Sequence, residues 1–105
     1  MKIAVSAEGN TPGSAVSEKF GRAPYFMIFD TEDSKFTAVP NSAVSAQGGA
    51  GPDAVRQIVS CGAGVLLTGR LGPNAESAAA AAGIKAVTGT SGSKTVKQAV
   101  DEYIG

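Results

Sequence analysis

The sequence predicts an α/β fold, one domain over residues 1–105, with the element order βββαβαβα. Three observations predict it. Short runs rich in β-branched and aromatic residues alternate with segments of helical period. The 14 glycines and 5 prolines punctuate the chain into short elements. A length of 105 residues supports one hydrophobic core and leaves no room for a second.

Residues 2–6 (KIAVS) form the first strand. A long segment, 7–23, follows, with Gly9, Pro12, Gly13 and Gly21 as breakers. Residues 24–30 (PYFMIFD) are a continuous apolar, aromatic run, which predicts a strand buried on both faces. After a polar turn at 31–34, residues 35–39 (KFTAV) complete an antiparallel hairpin. Residues 40–51 (PNSAVSAQGGAG) read as a second long loop. Ala54, Val55, Ile58 and Val59 then have helical spacing, in a helix from near Pro52 to just before Gly62. Residues 64–68 (GVLLT) are the fourth strand. A tight loop, 69–74, leads into an alanine-rich helix that ends near Gly83, since alanine has the highest helix propensity and glycine suits the helix end. Residues 84–88 are the fifth strand. A final helix near 94–104 carries its apolar stripe on Val96, Ala99, Val100, Tyr103 and Ile104.

This order fixes which loops share an edge. If the second strand runs antiparallel to the first, and each later helix returns the chain for a parallel strand, then 7–23, 41–51, 69–73 and 89–93 all lie at one end of the sheet. The opposite end has only short connections. Ligands of open α/β sheets bind outside the carboxyl ends of the parallel strands, and here that end also holds the glycine-rich segments. Lys19 and Arg22 place two cations around Phe20-Gly21. Gly48-Gly49-Ala50-Gly51 precedes one helix and Gly72-Pro73-Asn74 precedes another. Helix starts offer backbone N–H groups that lack intrahelical acceptors. The expected ligand is an anion of modest size.

Composition narrows the chemistry. Nine Lys and Arg balance nine Asp and Glu, so no chain-wide charge favours nucleic acid or an anionic membrane. There is no His, which excludes a His-assisted triad and His-rich zinc sites. The single Cys61 can form neither an internal disulfide nor a CxxC pair, in keeping with a reducing cytoplasm. It falls at the short-loop end and reads as a small apolar residue rather than a metal ligand. Asp30, Glu32 and Asp33 read as a solvated turn. No apolar run reaches membrane-spanning length, and the stretch in MKIAVSAEG is too short for a signal-peptide core. No nucleophile–base pair can be named, and the loops of the glycine-rich end carry only Glu8 and Glu18 as carboxylates, too few for a nuclease of the two-metal type.

The motifs SEKFGRAPYF, QGGAGPDAV and VLLTGRLGPNA, in this order and spacing, resemble the dinitrogenase iron–molybdenum cofactor biosynthesis family over nearly the whole chain. The resemblance implies a ribonuclease-H-like three-layer fold with a mixed five-stranded sheet in the order 3-2-1-4-5, strand 2 antiparallel. It implies a non-catalytic carrier or chaperone for iron–sulfur or molybdenum-containing sulfide clusters, with cluster donor and acceptor proteins as partners. Carried onto this chain, the ligand-binding positions are Lys19, Phe20, Gly21, Arg22, Gln47, Gly48, Gly49, Gly51, Thr68, Gly69, Gly72 and Asn74. Lys19 and Gln47 stand where relatives often have His, so the expected binding is outer-sphere: cationic side chains and backbone amides around a cluster or precursor that keeps its own sulfides. The expected state is a cytoplasmic monomer or weak homo-oligomer, with no metal ligand from the protein. The alternative is a regulatory or protein-interaction module of the same family that binds no cluster.

Overall fold

β1 (Lys2–Ala7) is covered on both faces, and that places it at the centre of the sheet. Its alternate residues serve two different cores, as a strand with period two requires. Ala4 packs with Phe26, Ile28, Leu66, Ala54, Val55, Ile58, Ala75 and Ala79. Ile3, Val5 and Ala7 pack on the other side with Met27, Phe29, Val65, Leu67, Val96, Ala99 and Val100. The computed structural model describes residues 1–43 and 50–105.

The remaining elements are β2 (Tyr25–Asp30), β3 (Lys35–Pro40), α1 (Ala50–Ser60), β4 (Ala63–Leu67), α2 (Pro73–Ala81), β5 (Lys85–Val87) and α3 (Val96–Ile104). The sheet order is β3-β2-β1-β4-β5. β2 is antiparallel to β1 and to β3, whereas β4 is parallel to β1 and β5 parallel to β4. The three-layer α/β fold and the strand order expected above are therefore present. α1 and α2 cover one face and α3 the other.

Local chemistry explains the boundaries that differ from the expected ones. α1 begins at Ala50, so Gly51 lies in its first turn rather than ahead of it. α3 begins at Val96 because Thr95 caps it: Gln98 N donates to Thr95 Oγ1 at 3.1 Å and Thr95 N donates to Gln98 Oε1 at 2.8 Å. α2 ends at Ala81, and Gly83 follows at φ 75°, a left-handed conformation that glycine adopts without strain. The turn at 31–34 is closed by carboxylates, Asp30 Oδ1 accepting from Glu32 N and Asp33 Oδ1 from Lys35 N.

Segment 7–23 is not a plain loop. It contains a 3-10 turn at Phe20–Arg22, and the Phe20 ring is buried against Phe26 with centroids 5.2 Å apart. Burial of a ring this size contributes roughly 1.5–3 kcal/mol and anchors the turn to the α1/α2 face of the sheet. Earlier residues strap across the start of α3: Val16 N donates to Lys94 O, Val96 N to Ser14 O and Lys97 N to Pro12 O, each at 2.9 Å. Among the described residues no helix is long and apolar enough to cross a membrane.

Candidate functional site

The register brings the loop-bearing strand ends together. Ala7 pairs with Tyr25, Tyr25 with Pro40, Val5 with Leu67, and Leu67 with Val87. Segments 8–24, 41–43, 68–72 and 88–95 thus leave the same end of the sheet. Cys61 lies at the other end, half-buried among Lys2, Asp30, Lys35 and Val39.

Three segments meet at this rim at backbone distance. Phe20 N donates to Arg70 O at 3.3 Å and Arg70 N to Glu18 O at 2.7 Å, so Lys19 and Arg70 sit side by side as parallel bridge partners. An ideal Cβ on Gly69 would lie 2.6 Å from Glu18 Cα, which leaves glycine as the residue that fits. The Glu18 carboxylate in turn accepts from Gly92 N at 2.6 Å and ties in the loop before α3. The turn at Phe20–Arg22 then rests on the first turn of α1: a Cβ on Gly21 would lie 3.3 Å from Gly51 N. Gly51 itself faces Ala75 of α2, where an added Cβ would lie 2.9 Å from the Ala75 Cβ. Small residues at this crossing let the two helix starts converge.

The result is a concavity of about 260 Å³. Gly21 and Arg22 form one wall, Ala50, Gly51 and Pro52 of α1 another, and Gly72 to Ala75 at the start of α2 the third. The first N–H groups of each helix have no intrahelical acceptor, and the helix dipoles add partial positive charge there. Pro73 occupies the first turn of α2 at no hydrogen-bond cost. Arg22 also borders an adjacent hollow of about 340 Å³ that Lys19, Glu8, Glu18 and Gly92 line. Lys19 and Arg22 are both exposed at the rim.

The expected site residues divide by position. Gly21, Arg22, Gly51, Gly72 and Asn74 line the concavity, and Lys19 lies one hollow away. Phe20 turns its ring into the core beneath the rim. Thr68 is fully buried, with its Oγ1 2.7 Å from Ser6 Oγ. Ser6 Oγ also lies 2.6 Å from the carbonyl of Ser17, which can only accept. The single Ser6 proton therefore goes to Ser17, and the Thr68 hydroxyl donates to Ser6. Gly69 supplies the close approach to Glu18 described above. Gln47, Gly48 and Gly49 lie outside the described residues.

Sequence reasoning missed two participants. Arg70 adds a third exposed cation beside Lys19, and no ion pair to either appears among the described residues. The adjacent Gly69-Arg70-Leu71 motif was a signal for a tight loop only. Asn41 is buried at 3% exposure and fastens the Arg22 turn from beneath. Its neighbour in sequence, Pro40, gave no indication of that role.

The donor set bears on metal binding. The chain has no His, and no group of three or more Cys, Asp or Glu side chains that could hold a metal ion occurs among the described residues. The rim instead presents the Arg22 and Arg70 guanidinium groups, the Lys19 ammonium and backbone N–H groups, with the Glu8 and Glu18 carboxylates beside them.

Fold and rim together define a class, a small three-layer α/β protein whose loop-bearing sheet end forms a cation- and amide-lined hollow. Over residues 1–105 the sequence matches the family described as dinitrogenase iron–molybdenum cofactor, and the chain belongs to that family. The structure is similar to that of the apo form of the orange protein from Desulfovibrio gigas, at 41% identity and a TM-score of 0.94 over 98% of this chain and 86% of that one. It is also similar to a Thermotoga protein described as NifB-type and of the DUF35 family, at 36% identity and a TM-score of 0.84, over 98% of this chain and 86% of the other. No curated protein matches the chain.

Proposed function

We propose that this protein is a non-catalytic carrier for an anionic metal–sulfur cluster, iron–sulfur or molybdenum-containing, or for its precursor, and that the ligand sits at the rim. One observation carries the reading: Arg22 and the starts of α1 and α2 line a single concavity of about 260 Å³. Two helix starts and a guanidinium converging on one hollow favour a compact anion over a neutral or cationic ligand. The ligand keeps its own sulfides, because the rim supplies hydrogen-bond donors and positive charge rather than metal ligands. Lys19 and Arg70 add positive charge at the margin. Membership of a cofactor family and likeness to the orange protein support a carrier role. A carrier of this kind exchanges its cargo with donor and acceptor proteins in the cytoplasm, as a monomer or weak homo-oligomer.

The test is anaerobic incubation with tetrathiomolybdate, then gel filtration with visible absorption recorded across the protein peak. The wild type retains colour and the Lys19→Ala, Arg22→Ala double variant loses most of it. A colourless wild type, or equal uptake by the two proteins, contradicts the reading.

A further inference from the structure

Asn41 lies just after β3, buried, and every hydrogen-bonding position of its side-chain amide is occupied. Nδ2 donates to Ala23 O at 2.9 Å and to Gly21 O at 3.3 Å. Oδ1 accepts from Ala43 N at 2.9 Å and from Gln57 Nε2 at 2.9 Å. The backbone N of Asn41 donates to Pro24 O at 3.0 Å, and Gln57 Oε1 accepts from Ser42 N at 3.0 Å. An amide offers two donors and two acceptor lone pairs, so this one is used completely. The orientation is also fixed by its surroundings, since two carbonyls face the nitrogen and two N–H donors face the oxygen.

The two carbonyls that Asn41 holds are those immediately before and after Arg22. The turn bearing Arg22 has weak internal closure, with Arg22 N to Lys19 O and Ala23 N to Phe20 O both at 3.3 Å. The hydrogen-bond geometry of a 3-10 turn is poorer than that of an α-helix, so contacts from outside help to define it. Gln57, the partner on the far side of Asn41, belongs to α1, the helix whose first turn forms one wall of the concavity.

We propose that Asn41 is the positioning residue of the rim: through Gln57 it locks the Gly21–Ala23 turn to α1 and so sets where Arg22 stands relative to the two helix starts. The inference deepens the anion-carrier reading and rests on it for its consequence in binding. Asn41 itself does not touch the ligand.

Two variants separate the halves of the amide. Asn41→Asp keeps an oxygen for Ala43 and Gln57 but replaces the donor pair with a carboxylate facing two carbonyls. Asn41→Ala removes both halves. The first measurement needs no ligand: amide hydrogen exchange in the free protein. Both variants speed exchange at Arg22 and Ala23 while the amides of α3 keep wild-type protection. Unchanged exchange at Arg22 and Ala23, or an equal rise across α3, overturns the inference. The second measurement is a double-mutant cycle in tetrathiomolybdate affinity. Asn41→Ala weakens binding about tenfold in the wild-type background and less than about twofold in an Arg22→Ala background, the signature of two residues that act together. Additive losses overturn the proposal even where binding is intact. A wild type that takes up no tetrathiomolybdate contradicts the carrier reading instead, and the exchange experiment still decides whether Asn41 sets the turn.

Discussion

A Cβ atom placed on Gly21 would lie 3.3 Å from the backbone nitrogen of Gly51. That approach sets the Arg22 turn against the start of α1, and Gly51 passes the contact on to Ala75 of α2. The proposed binding site exists because three chain segments touch here through residues with little or no side chain. Substitutions at the crossing are expected to test the site's construction apart from its charge.

Gly51→Ala sets two opposing effects against each other. Alanine gains up to about 1 kcal/mol of helix propensity over glycine. The added methyl would lie 2.9 Å from the Ala75 Cβ, and overpacking of this kind costs about 1–3 kcal/mol. Steric cost wins, since the first turn of a helix realises only part of the propensity gain. Urea denaturation is expected to show a net loss of about 1 kcal/mol. A stabilised variant would mean that α1 and α2 can part without penalty.

Gly69→Ala is expected to be worse. Its new carbon would meet Glu18 Cα at 2.6 Å and Glu18 O at 2.7 Å. Backbone atoms cannot rotate away as a flexible side chain can, so relief requires breaking the bond from Arg70 N to Glu18 O. The expected loss is about 2–4 kcal/mol, the overpacking cost plus a backbone hydrogen bond, read as a lower denaturant midpoint. A loss below about 0.5 kcal/mol, the usual range of a surface substitution, contradicts this picture of the rim.

The buried hydroxyl pair predicts an order of effects. Ser6→Ala removes the donor to the Ser17 carbonyl and the acceptor of the Thr68 proton together. Leaving buried polar groups unpaired costs about 1–3 kcal/mol. Thr68→Val removes one donor, leaves the Ser6–Ser17 bond in place and costs about 1 kcal/mol. Thermal unfolding should therefore rank Ser6→Ala below Thr68→Val. The reverse order would contradict this assignment of the two hydroxyl protons.

Thr95→Ala tests the strap from the side of α3. Its hydroxyl accepts from Gln98 N in a capping box, and loss of such a cap costs about 1 kcal/mol. The residues that follow the cap, Val96 and Lys97, donate to Ser14 and Pro12. Hydrogen exchange should accelerate at both of those amides as well as within the first turn of α3. Acceleration confined to Gln98 would show that the strap holds without the cap.

Much of this architecture was legible in the order of residues. PYFMIFD has the composition of a doubly covered strand, and β2 has four consecutive buried residues. Crossover geometry predicts the glycine-rich segments at one end of the sheet, and Arg22 stands with both helix starts there. What stayed hidden depends on partners distant in sequence. Ser6 meets Thr68 across 62 positions and Asn41 meets Gln57 across 16, and no local period reports such pairs. Phe20 sits in a segment of breakers and polar residues, so its role as an anchor emerges only when Phe26 is placed beneath it. Arg70 reads as part of a tight loop until the bridge to Lys19 makes it a third cation of the rim.

The proposed function requires an anion held between the Arg22 turn and the two helix starts. An NMR titration of the wild type with tetrathiomolybdate tests this most directly, at low and then at roughly physiological ionic strength, where the Debye length falls to about 8 Å. The amides of Gly21, Arg22, Gly51, Asn74 and Ala75 should shift together in one saturable process, and the affinity should weaken as salt is added. Shifts centred on Cys61 and Gly62 at the opposite end of the sheet, or no saturable shift at the five rim amides, would contradict it.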